Sequence, residues 1–222
     1  MDELMHIEKE AQENQRIAQH EREFAKKSKN NALVEIKRSK VRENLMKIEY
    51  QLAKIKKELA EKRNFLAKEK IKIKKNQIID FPEEELKLES EYAAYNEKIA
   101  ENQEDIAEVN KKVALLEKQI ADQKLKLANE KLDVAKEREK LSKAQFNYLK
   151  VVKTHASEEK IMKAKINYEK QKENLLKQKK DVIEKENNIR KRENKLADLK
   201  KEHSLILGER EKIRHPGVVV AG

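Results

Sequence analysis

The chain has 222 residues, 43% charged and 37% hydrophobic, with three Gly, two Pro and neither Trp nor Cys. So little apolar material excludes a broad layered core, and a composition rich in Ala, Glu, Lys, Leu and Arg points to long helices or coiled coil. Disulfides and thiolate metal sites are excluded too, and the net charge of +11 is uneven, at +7 over 1–80, −2 over 81–157 and +6 over 158–222.

The first predicted element is a helix over 1–76. Its start, MDELMHIEKEAQ, has early acidic residues and no apolar signal region. A cytoplasmic location is the default expectation, although an exported protein after processing would read the same. No run approaches the roughly 18 apolar residues of a membrane span. Within 10–73, Ile17, Phe24, Leu45, Leu52, Leu59, Leu66 and Ile73 recur as heptad position a, with Asn31 and Arg38 interrupting. Val34, Val41, Ile48 and Ile55 stand at d. Spacing of this kind predicts a coiled-coil seam. Position b carries small residues instead: Ala11, Ala18, Ala25, Ala32, Ala53, Ala60 and Ala67, with Ser39 and Met46 between.

A turn is predicted over 77–81. In KKNQIIDFPEEE, Asp80 can cap a new helix, Glu83 is its capping-box partner and Pro82 suits the first turn. The lysines before the turn and the glutamates after it suit the two helix dipoles.

The second helix is predicted over 82–153. From Leu88 to Val151 one a/d register runs unbroken, through Tyr92, Ile99, Val113, Ile120, Val134, Leu141 and Tyr148 at a. Tyr92, Tyr95, Tyr148 and Tyr168 all fall on a or d positions and are expected in the core. Asn102, at d, is expected to fix register. Position b is again alanine: Ala93, Ala100, Ala107, Ala114, Ala121, Ala128 and Ala135. Helix propensity alone does not place alanine at one heptad position. The repeat is therefore expected to mark where another backbone comes close. A second apolar stripe, Leu125, Ala128, Leu132, Ala135, Phe146 and Leu149, is expected to meet a third helix.

KTHASEE at 153–159 is a weaker break, with Thr154 or Ser157 as candidate cap. Beyond it, 154–214 reads as a third helix or a kinked continuation. Its a series is Ile161, Tyr168, Leu175, Val182, Ile189 and Leu196, while its d positions, Gln171, Gln178, Lys185 and Arg192, are poor. Several a residues are followed by a second apolar one, as in Ile161-Met162, Leu175-Leu176 and Val182-Ile183. His215-Pro216-Gly217 stops the helix, and 215–222 reads as an extended or disordered tail. The expected fold is all-α: a long antiparallel helical hairpin or an elongated three-helix coiled-coil bundle, about 110 Å long at 1.5 Å per residue. The pattern resembles the long hairpins of secretion-duct subunits and spectrin-type bundles in architecture, which does not carry function.

No catalytic, cofactor-binding or metal-ligating set emerges. The five histidines lack ligand spacing and Gly208 stands alone. The residues singled out for helix packing are Ala53, Ala60, Ala67, Ala93, Ala100, Ala107, Ala114, Ala121, Ala128 and Ala135. Two basic tracts are candidate anion sites: Lys70, Lys72, Lys74 and Lys75 in KEKIKIKK, and Arg190, Lys191 and Arg192. Interleaved acids and the lack of an aromatic platform weigh against nucleic acid. The expected function is that of a non-enzymatic structural coiled-coil protein, a spacer, scaffold or assembly subunit. Its expected partners are further copies or another coiled-coil protein. A basic adaptor on an anionic surface, lipid before nucleic acid, is the alternative.

Overall fold

The computed structural model describes residues 2–76 and 82–214. The expected 77–81 turn, with its Asp80 cap, and the 215–222 tail lie outside them. The fold is an all-α three-helix bundle: α1 spans Asp2–Asn76, α2 Glu83–Lys153 and α3 Glu158–Arg214. No strand occurs among the described residues. The helices persist because strong helix formers fill them and Pro is missing from their interiors. Acidic first turns on α2 and α3 and basic last turns on α1 and α2 complement the dipoles.

Between α2 and α3 the chain turns on four residues. The Ala156 N–H donates to the Val151 carbonyl and the His155 N–H to the Val152 carbonyl, both at 3.1 Å. This is a Schellman stop, whose penultimate residue must be left-handed. His155 fills that place with φ of 48°, where glycine is usual. Ser157 stands at the N-cap of α3, its carbonyl accepting from Lys160 and Ile161. The acidic pair Glu158 and Glu159 follows in the first turn.

Contacts divide the chain into two units, Met1–Arg38 with Gln119–Glu193 and Ser39–Lys118 with Asn194–Gly222. In the first, the a residues Val134 and Leu141 of α2 form an apolar core with Leu175 of α3, flanked by Tyr168 and Val182. Tyr148 stacks on Tyr168 with ring centroids 6.3 Å apart. Two of the poor d positions of α3 are matched by polar partners on α2: Lys185 pairs with Glu130, and Arg192 donates to Gln119 at 2.7 Å. Where two apolar residues adjoin in α3, the first turns inward and Met162, Leu176 and Ile183 stay exposed.

α1 lies on a different face of α2. The Ser142 hydroxyl donates to the carbonyl of Ala11 at 2.8 Å. Such a bond to a backbone oxygen requires the helices to be close. Ala121, Ala128 and Ala135 lie whole heptads from Ser142 and share its face; all are buried, as are Ala11, Ala18, Ala25 and Ala32 on α1. Phe146, expected against a third helix, instead lines a cavity of about 150 Å³ with Gln15 and Ala18 of α1. The second stripe of α2 thus serves α1, because α3 has taken the a/d stripe. Polar groups complete this seam. Asn14 Nδ2 donates to Gln145 Oε1, and Arg138 donates to Asn14 and, through two nitrogens, to Glu21.

Candidate helix-docking surface

In the second unit the alanine seam between α1 and α2 continues. Ala53, Ala60 and Ala67 of α1 are buried, with Ala100, Ala107 and Ala114 of α2, and Ala93 is half-buried. Charged side chains bridge its edges, through Arg42 to Glu117, Lys57 to Glu104 and Lys70 to Glu89. Asn64 Nδ2 donates to Glu97. Glu43 is buried and accepts from both Lys118 and Lys47 at 2.7 Å. Its hydrogen bond from Lys118, then that from Lys47, holds its carboxyl below the ordinary carboxylate range, against the opposing effect of burial. On the α3 side, Asn102 Nδ2 donates to the Ile206 carbonyl at 3.4 Å. Lys200 pairs with Glu117.

Burial of the alanine row has a consequence for α1. The bulky seam expected on this helix does not face α2. Val41, Leu45, Ile48, Leu52, Ile55, Leu59, Leu66 and Ile73 are each between 50% and 62% exposed. The physical reason is competition for faces. An alanine row on each helix lets the two backbones approach, and from Asn102 onward α2's own a/d stripe is engaged by α3. The a/d stripe of α1 is left over. Tyr92, expected in the core, is 69% exposed on α2 beside it. Covering the exposed half of a Leu or Ile side chain is worth roughly 1 kcal/mol. Eight in one row form a patch on the order of several hundred Å², which soluble proteins rarely leave uncovered without a purpose.

The row borders a groove of about 600 Å³ between α1 and α2. Its floor is Ala60, Ala67, Ala93 and Ala100, and its walls are Leu59, Leu66, Tyr92 and Ile99. Lys56, Arg63 and Lys70 line the α1 side. A smaller cavity of about 310 Å³ follows along the same two helices, floored by Ala53 and Ala107, and there Arg210 of α3 forms part of the lining.

The structure distributes the candidate anion residues differently. Lys70 is paired with Glu89 and Lys72 with Glu69, each at 2.6 Å. Lys74 and Lys75 act on Glu83, whose carboxyl lies below its ordinary range, first through its hydrogen bond with Lys87. Arg192 is engaged with Gln119, and Arg190 and Lys191 are exposed. Among the described residues no cluster of three or more His, Cys, Asp or Glu can hold a metal ion, and no helix is long and apolar enough to cross a membrane. Residues that sequence reasoning passed over are Asn14, Arg138 and Gln145 in the first unit and Glu43 and Asn64 in the second. Their one signal is a spacing of three or four residues from heptad position b, held by alanine beside Asn14, Asn64 and Arg138, by Ser39 and Met46 beside Glu43, and by Ser142 beside Gln145. The chain matches no protein-family model, and no significant similarity to a curated protein or a solved structure was found.

Proposed function

We propose that this chain is a non-enzymatic structural coiled-coil protein, a scaffold, spacer or assembly subunit acting through helix–helix association. One observation carries the reading: from Val41 to Leu59 six bulky apolar residues alternate by four and three on one helix, all at least half exposed. That is the contact code of a coiled-coil seam, presented outward. An isolated hydrophobic residue on a surface needs no explanation, but a periodic row does. The cavities support the same reading, since they are interhelical grooves with alanine floors.

The test is solution mass by sedimentation, for the chain alone and with synthetic leucine-heptad peptides carrying acidic or basic flanks. The wild-type chain should form a complex that Leu52→Asp with Ile55→Asp loses, while circular dichroism shows unchanged helix. A wild-type chain that stays monomeric with every peptide overturns the reading.

A further inference from the structure

Resting on that reading, we propose that the groove between α1 and α2 at Leu59–Leu66 and Tyr92–Ile99 is a docking site for one amphipathic helix from another chain, with acidic residues flanking its apolar stripe.

The shape points to a helix. Alanines floor the groove and larger apolar side chains wall it on both sides, the relief into which a ridge of side chains packs. The adjoining cavity, built on the same repeat of α1 and α2, has Arg210 of α3 in its lining. There a side chain of α3 reaches the same pair of helices.

Charge chooses the partner. The edge of α1 beside the apolar row carries Arg42, Lys56, Arg63 and Lys70 against one acid, Glu49. Arg42 and Lys70 are neutralised within the molecule by Glu117 and Glu89. The side chains of Lys56 and Arg63 make no hydrogen bond or ion pair with another described residue. A second copy presenting the same row would bring the same basic edge. Like charges at such flanks disfavour pairing. An acidic-flanked helix instead supplies carboxylates to Lys56 and Arg63 while its apolar stripe covers Leu59, Leu66 and Tyr92.

The experiment titrates the full chain against two labelled peptides of about four heptads, Leu at a and d in both, with Glu flanks in one and Lys flanks in the other, read by fluorescence anisotropy. The Glu peptide should bind at least tenfold tighter than the Lys peptide. Lys56→Glu with Arg63→Glu should reverse that order, and Leu66→Asp should abolish both. Equal binding of the two peptides overturns the acidic partner while leaving helix association standing. Binding of neither, with a monomeric chain, overturns both. Self-association that excludes the peptides and is lost in Leu66→Asp assigns the groove to a second copy and overturns the proposal.

Discussion

Arg138 of α2 holds Glu21 of α1 with both arms of its guanidinium, Nε and Nη2 each donating at 2.9 Å to a different carboxylate oxygen. Its third nitrogen donates to Asn14 at 3.1 Å, and Asn14 in turn donates to Gln145. Two-pronged charge-assisted bonds combine strength with a fixed geometry. Arg138→Ala should destabilise the fold by about 2 kcal/mol, since Glu21 keeps access to solvent and is not stranded. Arg138→Lys should retain less than half of the lost stability, because an ammonium cannot bridge both oxygens. Urea denaturation of the two variants measures this; equal stability of wild type and Arg138→Ala contradicts it.

Ala114 is fully buried in the seam between α1 and α2. A leucine there must push the backbones apart, at a cost of about 1–3 kcal/mol. The same change at exposed Ala197 should shift stability by no more than about 0.5 kcal/mol. Melting of Ala114→Leu beside Ala197→Leu separates loss of close packing from a general effect of leucine.

His155 supplies the left-handed residue of the α2–α3 turn. That conformation is costly for a residue with a β-carbon. His155→Gly should raise stability by about 0.5–1 kcal/mol, and His155→Val should lower it. Thermal melts of the pair read the opposite signs, and two shifts of the same sign rule the assignment out.

Glu43 titrates lower in the fold than when unfolded, because Lys118 and then Lys47 hydrogen-bond its charged form. A depressed carboxylate contributes fully above its unfolded pKa and loses that contribution as pH falls through the folded one. Stability should therefore decline through and below the ordinary carboxylate range. In Glu43→Gln that part of the decline should be smaller, with lower stability at neutral pH. Denaturation curves across that window, wild type against variant, provide the check.

The elements themselves were legible in sequence because heptad spacing is local information. The a series Ile161, Tyr168, Leu175, Val182 and Ile189 does face α2, since α3 has one apolar stripe and one neighbour to bury it on. The misreading lies in α1, which has two stripes, one bulky and one alanine. Hydrophobicity ranks Leu45, Leu52 and Leu59 as core. Their exposure follows from a competition that only the assembled bundle decides, once α3 holds the a/d face of α2 and the alanine faces of α1 and α2 meet. Asn14 and Gln145 were illegible for a related reason. A polar residue reads as surface until its partner, 131 residues away, is brought beside it.

Apart from Ser39 and Met46 on α1 and Ser142 on α2, the rows repeat alanine every seventh residue, so they do not by themselves say which alanine meets which. Slid by one heptad, about 10.5 Å of helix, α1 would again set small residue against small residue along α2. What such a slip would break in the first unit is the hydroxyl link from Ser142 to Ala11 and the links from Arg138 and Gln145 to Glu21 and Asn14. The tracks are smooth, and a handful of polar latches keeps the alignment single-valued.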